Sequence, residues 1–137
     1  DPASFDVIGE YAEPLPVLVI AELVGLSTTD VPALRSWSQA IVRMYEPSPS
    51  AGVVDDAVRS ATEFADHVRE HLARRRSSPG EDLTTDLLEA GLSDDEPVAA
   101  VVLLLNAGHE ASVNVFGNGL VAMLRAGSRA GQRRVAG

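Results

Sequence analysis

Residues 103–114 read Leu-Leu-Leu-Asn-Ala-Gly-His-Glu-Ala-Ser-Val-Asn, which sets a carboxylate, Glu110, and a hydroxyl, Ser112, side by side in an otherwise apolar run. An unpaired ionised carboxylate is costly in a low-dielectric interior, so a buried Glu has partners, an altered proton affinity or a task. The chemistry on offer is proton handling: a partly buried carboxylate of raised proton affinity, beside a hydrogen-bond donor, passes protons through water. Metal chemistry fits less well. His109-Glu110 begins like a His-Glu-x-x-His zinc helix, but the required second His falls on Val113. His67 and His71 stand one turn apart, with Asp66 and Glu70 nearby, at a spacing that suits a divalent ion. A solvated helix face accounts for them as well, and no metal site is expected. Asp55-Asp56 and the acids at Asp82 and Asp86 lack the full cluster of a magnesium–diphosphate site, and no Gly-rich phosphate cradle is present.

Two patterns surround Glu110. Asn106, Glu110, Asn114 and Asn118 recur every four residues and form a slowly drifting polar stripe. Ala107, Gly108, Ala111 and Ser112 form an adjoining small-residue patch against which something flat or bulky can lie. A tight helix–helix crossing with a satisfied polar network gives the same pattern. Gly108 weakens the helix locally by about 1 kcal/mol relative to Ala.

The helix that positions these groups begins near Ser93, where Ser93 and Glu96 have the capping-box form and Asp94 and Asp95 complement the helix dipole. Between residues 98 and 124 the only ionisable side chains are His109 and Glu110. Residues 98–105 are apolar all round, which predicts a helix buried on every side. The run is long enough to cross a bilayer core of about 30 Å. Its central polar groups argue against that, since charged groups there are penalised by roughly 2.5–3.5 kcal/mol each.

The rest of the chain is helical in pattern. Pro14 and Pro16 open a short apolar helix over 17–24, which Gly25 can end in a left-handed cap. Thr29 or Asp30 starts a second, with Pro32 in its first turn and Leu34, Trp37, Ile41 and Met44 on one side. The Pro/Ser stretch 46–52 breaks it. A long amphipathic helix over 54–75 follows, then a turn at 77–80 and a short helix capped by Asp82. The predicted architecture is all-α, with about five helices around a long buried central helix at about 93–124.

At 137 residues and 45% hydrophobic content, the chain can bury one modest core. Too few helices accompany the central one to cover it, so exposed apolar surface is expected. The net charge of −9 disfavours nucleic acid and anionic membrane as partners. Every cation is Arg, consistent with a GC-rich bacterial gene. The chain opens on Asp1 without Met and shows no signal peptide, which fits a cut or partial reading. Residues 126–137 are basic, without acids or apolar periodicity, and read as a disordered tail or the product of a frameshift after about Arg125.

The hexapeptide Ala107-Gly108-His109-Glu110-Ala111-Ser112 resembles the central-helix signature of the cytochrome P450 family, the haem-thiolate monooxygenases, whose pattern is Ala/Gly-Gly-x-Asp/Glu-Thr-Thr/Ser. The flank from Asp94-Asp95-Glu96 through Val101-Val102-Leu103-Leu104-Leu105-Asn106 is similar to soluble bacterial members. So are Tyr11-Ala12-Glu13-Pro14-Leu15-Pro16 with the apolar run after it, and Leu34-Arg35-Ser36-Trp37-Ser38. The resemblance covers about residues 4–125 and implies a partial cytochrome P450 domain over 1–125.

The resemblance further implies that Ala107, Gly108 and Ala111 border the haem, that Glu110 is the acid of an acid–alcohol pair delivering protons, and that Ser112 is its second hydroxyl position. The usual Thr position is Ala111, which has no hydroxyl. Met44, Tyr45 and Leu104 are implied substrate contacts, the first two from a mobile roof. The complete parent would be a cytoplasmic enzyme, binding no membrane, that oxidises a small organic substrate with dioxygen and electrons from a ferredoxin-type or other donor. The iron-holding cysteine is missing, because the chain contains no Cys, and so is the family's Glu-x-x-Arg, because no acid follows Glu110. The chain alone is therefore expected neither to retain haem nor to catalyse. The contrasting expectation is a non-catalytic helical interaction module or a pseudogene remnant.

Overall fold

The computed structural model describes residues 4–135, with side chains described through residue 127. Among these residues the chain is helical throughout and no strand occurs, as the sequence predicts. Five α-helices follow in order: α1 Pro14–Leu23, α2 Val31–Val42, α3 Ala51–Ser77, α4 Leu83–Glu89 and α5 Asp95–Val135.

The boundaries follow local chemistry. Pro14 opens α1, three residues before the predicted start, because a first-turn proline surrenders an amide that has no helical partner anyway. Gly25, at φ 72°, ends it. Its cap is closed by the Leu26 amide donating to Ala21 O at 2.8 Å and the Gly25 amide to Glu22 O at 3.1 Å. A short 3-10 turn, Thr28–Asp30, capped by Ser27, leads into α2. Ser50 caps α3 by accepting from the Val53 amide, and Arg74, Arg75 and Arg76 complement the dipole at its other end. Asp82 caps α4, accepting from the Thr85 amide at 3.0 Å. At the head of α5, the Glu96 carboxylate accepts from the Ser93 amide at 2.8 Å and from the Ser93 hydroxyl at 2.9 Å.

One core holds the helices together. Leu34 and Ile41 from α2 meet Phe64, Val68 and Leu72 from α3. Val17, Ala21 and Val24 from α1 and Val98, Val101 and Leu105 from α5 complete it. The α5 positions recur at three and four residues, so α5 is buried along a single stripe. All-round burial of 98–105 is thereby corrected: Leu103, on the far side, is 68% exposed. Helices α1, α2 and α3 pack on one side of α5, and the described chain has no element to cover the other.

The exposed apolar surface expected on that account is present. It comprises Leu103, Val115, Val121, Met123 and Leu124 on α5, with Leu15, Val19 and Leu23 on α1. By length and composition alone, Asp95–Gly127 could cross a membrane. Its buried stripe nonetheless packs on protein, from Pro97 to His109. The backbone of α5 runs on through residues 126–135, past the expected end at about 124 and into the stretch read as a disordered tail, while its side chains after residue 127 lie outside the described residues.

Candidate functional site

The site is built on three consecutive residues of α5 that face three ways. A Cβ added at Gly108 would lie 2.6 Å from Ile20 Cδ1. Gly108 is therefore small because α1 crosses there, and the patch of small residues divides: Gly108 serves the helix crossing, whereas Ala107 and Ala111 are exposed on the uncovered side. His109 points inward to α2. Its Nδ1 lies 3.3 Å from Ser38 Oγ, and both residues are buried. Glu110 points outward.

That last placement corrects the reading of Glu110 as a buried acid. Glu110 is exposed, and its Oε1 accepts a hydrogen bond from Asn114 Nδ2 at 2.9 Å. The titratable side chain that α5 buries is His109, at 3% exposure. Burial holds its imidazole below the ordinary value of 6.5; the Glu110 carboxylate opposes that shift, and the Arg35 guanidinium adds to it. Arg35 is itself ion-paired with Glu13.

Ser112 is not beside Glu110. Two residues along a helix correspond to about 200° of rotation, so the hydroxyl leaves from the opposite side. It lines a shallow depression with Ala111, Val115 and Phe116. The four-residue stripe fares better: Glu110 and Asn114 are joined, and Ala107 and Ala111 share their exposed face. Among the implied substrate contacts, Leu104 is half-buried against the core. Met44 and Tyr45 lie on the 3-10 turn Arg43–Tyr45 after α2, which packs on α2 and α3, and Tyr45 is 78% exposed. The fold thus gathers Ala107, Glu110 and Ala111 on one exposed face, turns Ser112, which shares a depression with Ala111, away from Glu110, and sets Met44 and Tyr45 apart.

Sequence reasoning missed two polar clusters. The Ser38–His109 pair was detectable: 98, 101, 105 and 109 carry the spacing of one buried stripe, which puts His109 on it. The other gathers at the end of α1. The Val24 carbonyl accepts from Thr84 Oγ1 at 2.6 Å and from His71 Nε2 at 3.0 Å. Arg75 donates to the Gly25 carbonyl at 3.3 Å and pairs with Asp82 at 2.6 Å. These partners come from three helices, so no local pattern announces them. Burial lowers the His71 value, against the raising effect of its bond to Val24. Burial pushes the Asp82 carboxyl up, but the hydrogen bonds from Thr85 and the Arg75 charge outweigh it and hold Asp82 below its usual range. His67 lies 3.2 Å from Asp30, so the two histidines of the metal spacing serve different partners. No group of three metal-capable side chains occurs among the described residues.

No family model matches the chain. Cytochrome P450 107B1 of Saccharopolyspora erythraea is 38% identical over 127 residues, a match covering 89% of this chain and 30% of that protein. The vitamin D(3) 25-hydroxylase of Pseudonocardia autotrophica is 36% identical over 125 residues, 87% of this chain and 29% of the other. Among solved structures, ligand-free cytochrome P450 TbtJ1 superposes with a TM-score of 0.83 at 32% identity, covering 96% of this chain and 36% of that one. P450BioI, solved with an acyl carrier protein bearing hexadec-9Z-enoic acid, gives a TM-score of 0.86 at 25% identity, covering 93% and 34%. The chain spans about 30% of the length of the curated relatives it matches.

Proposed function

Because the chain is related in sequence and fold to cytochrome P450s, we propose that it forms the roof and oxygen-side helix of a bacterial haem-thiolate monooxygenase acting on a small organic substrate. The observation that carries this reading is the uncovered face of α5. Ala107 and Ala111 present only methyl groups there, and the Glu110 carboxylate stands beside them, oriented by Asn114. A flat group fits against such a face. The residues present supply the oxygen side only: with no cysteine among 137 residues, the thiolate has to come from polypeptide outside this stretch. Haem, when bound, supplies the activation of dioxygen and the insertion of one oxygen atom into the substrate, with electrons from a ferredoxin-type or other donor.

This chain's own contribution is steric and protonic. Ala107 and Ala111 leave room for small reactants. Glu110 takes a proton from solvent and releases it on the uncovered face, and Asn114 fixes the direction of Oε1. Since Ala111 has no hydroxyl and Ser112 points elsewhere, water or a substrate hydroxyl completes the relay. Met44 and Tyr45 sit on the turn that follows the roof helix α2, where movement of the 43–50 connection would admit substrate, and Leu104 would meet that substrate from α5. A cytoplasmic location for the whole protein is inferred from the bacterial relatives.

The test is a nucleotide read through and beyond the codon for Arg125, translated in three frames, with a reduced carbon-monoxide spectrum of the full-length product. A downstream Glu-x-x-Arg, a Phe-x-x-Gly and Cys loop and a thiolate-haem spectrum are expected. Absence of these motifs from every frame, with no haem uptake, would overturn the reading and leave a helical interaction module.

A further inference from the structure

His109 is the last buried residue of α5 among the described ones; after it the helix leaves the core. Its partner Ser38 is fully buried on α2, so the contact joins the roof helix to the oxygen-side helix one residue before Glu110. Gly108 anchors α5 to α1 through Ile20, and His109 anchors it to α2. Neighbouring residues held by two different helices fix the rotation of α5 about its own axis, and hence the direction in which Glu110 points. Further along, Tyr11 against Phe116 and Ile8 at Gly117 hold α5 again, so loss of either anchor loosens the turn between them, which carries Glu110.

We propose that the Ser38–His109 hydrogen bond is a latch between α2 and α5, and that His109 is a positioning residue which sets the direction of Glu110 and releases it when the imidazole is protonated. The catalytic part of this statement rests on the reading of Glu110 given above; the latch itself does not. In the Nδ1–H tautomer the neutral imidazole donates to Ser38 Oγ, and Nε2 is a bare lone pair buried without a partner. Protonation puts an N–H on both nitrogens, and the one on Nε2 then has no acceptor. The charged groups acting on the ring are Glu110 on its own helix and Arg35 on α2, the latter paired with Glu13 at the head of α1. Glu110 is exposed and Arg35 is repelled by an imidazolium, so neither stabilises the cation enough to hold it inside. The latch opens by expelling the ring.

Hydrogen exchange of the full-length protein, followed by mass spectrometry from about pH 7.5 to about pH 5.5 and corrected for intrinsic rates, tests this. In the native protein, segments 34–42 and 105–112 are expected to open together, faster as pH falls. His109→Leu should open both about fivefold faster at the upper pH, the effect of one lost hydrogen bond, with no further pH response. His109→Asn keeps a short polar reach to Ser38 without titrating, and should stay closed across the range. Ser38→Ala supplies a second, milder loss of the same bond and should match His109→Leu at the upper pH.

A native pH response surviving in His109→Asn, or no acceleration in Ser38→Ala, would overturn the latch. For the positioning role, product formed per electron consumed should fall in His109→Leu at unchanged KM and recover in His109→Asn. An unchanged ratio would remove that role. If the native protein takes up no haem while exchange behaves as described, the reading of Glu110 fails and the latch stands.

Discussion

Replacing Gly108 by Ala decides what the small residue in the middle of α5 is for. The added Cβ would lie 2.6 Å from Ile20 Cδ1, roughly 1 Å inside ordinary contact, whereas Ile20 Cγ1 at 3.7 Å is already at a comfortable distance. Overpacking of this kind costs about 1–3 kcal/mol. Helix propensity returns about 1 kcal/mol, because Ala restricts the unfolded chain and Gly does not. Gly108→Ala is therefore expected to destabilise by about 1 kcal/mol net. Ile20→Val deletes the clashing methyl at a cost of about 1 kcal/mol on its own. In the double variant the overlap is gone and the helix gain remains, so stability should return close to the native value, where the sum of the singles gives a loss of about 2 kcal/mol. Urea unfolding of the four proteins measures this coupling. Additivity within about 0.5 kcal/mol would refute the packing argument and return Gly108 to the uncovered face.

Gly25→Ala should lower stability by at least about 2 kcal/mol in the same assay. It strains a left-handed backbone and drives a Cβ into Arg75 and into Asp82, whose carboxylate is only 4% exposed. Stability should also fall on acidification below about pH 6.5. His71 and His109 bind protons less readily folded than unfolded, so their contribution is complete above 6.5 and is lost as pH drops toward their folded values. A urea midpoint that stays level between about pH 7.5 and 5.5 would contradict this. Asp82 acts in the same direction at lower pH: its contribution is present above 3.8 and is lost as pH falls through its lowered folded value. Glu110→Gln, at an exposed position, should leave the urea midpoint within about 0.5 kcal/mol of native while lowering product formed per electron in the full-length protein. A large stability loss would show instead that Glu110 is a packing residue.

Local chemistry made most of the helices legible in the sequence. Pro32 in the first turn of α2, Asp82 as a cap, Gly25 as a left-handed terminator and Glu96 at the head of α5 act on their own neighbours, and so can be recognised without knowing the fold. The apolar spacing of α3 likewise names its buried face, because a helix of mixed composition has only one side it can bury.

Tertiary structure decided everything that depends on which side of an element has neighbours. An all-round apolar run carries no information about direction, so residues 98–105 could not say which stripe would be covered; the packing of α1, α2 and α3 chose 98, 101 and 105. The same choice exposed Glu110 and buried His109, reversing the roles suggested by their one-dimensional surroundings. Ser38 and His109 are separated by 71 positions, and Thr84 reaches Val24 across 60. Sequence specified the elements and the chemical groups they carry; the crossing of distant helices set which groups meet, because burial belongs to a surface shared by both partners.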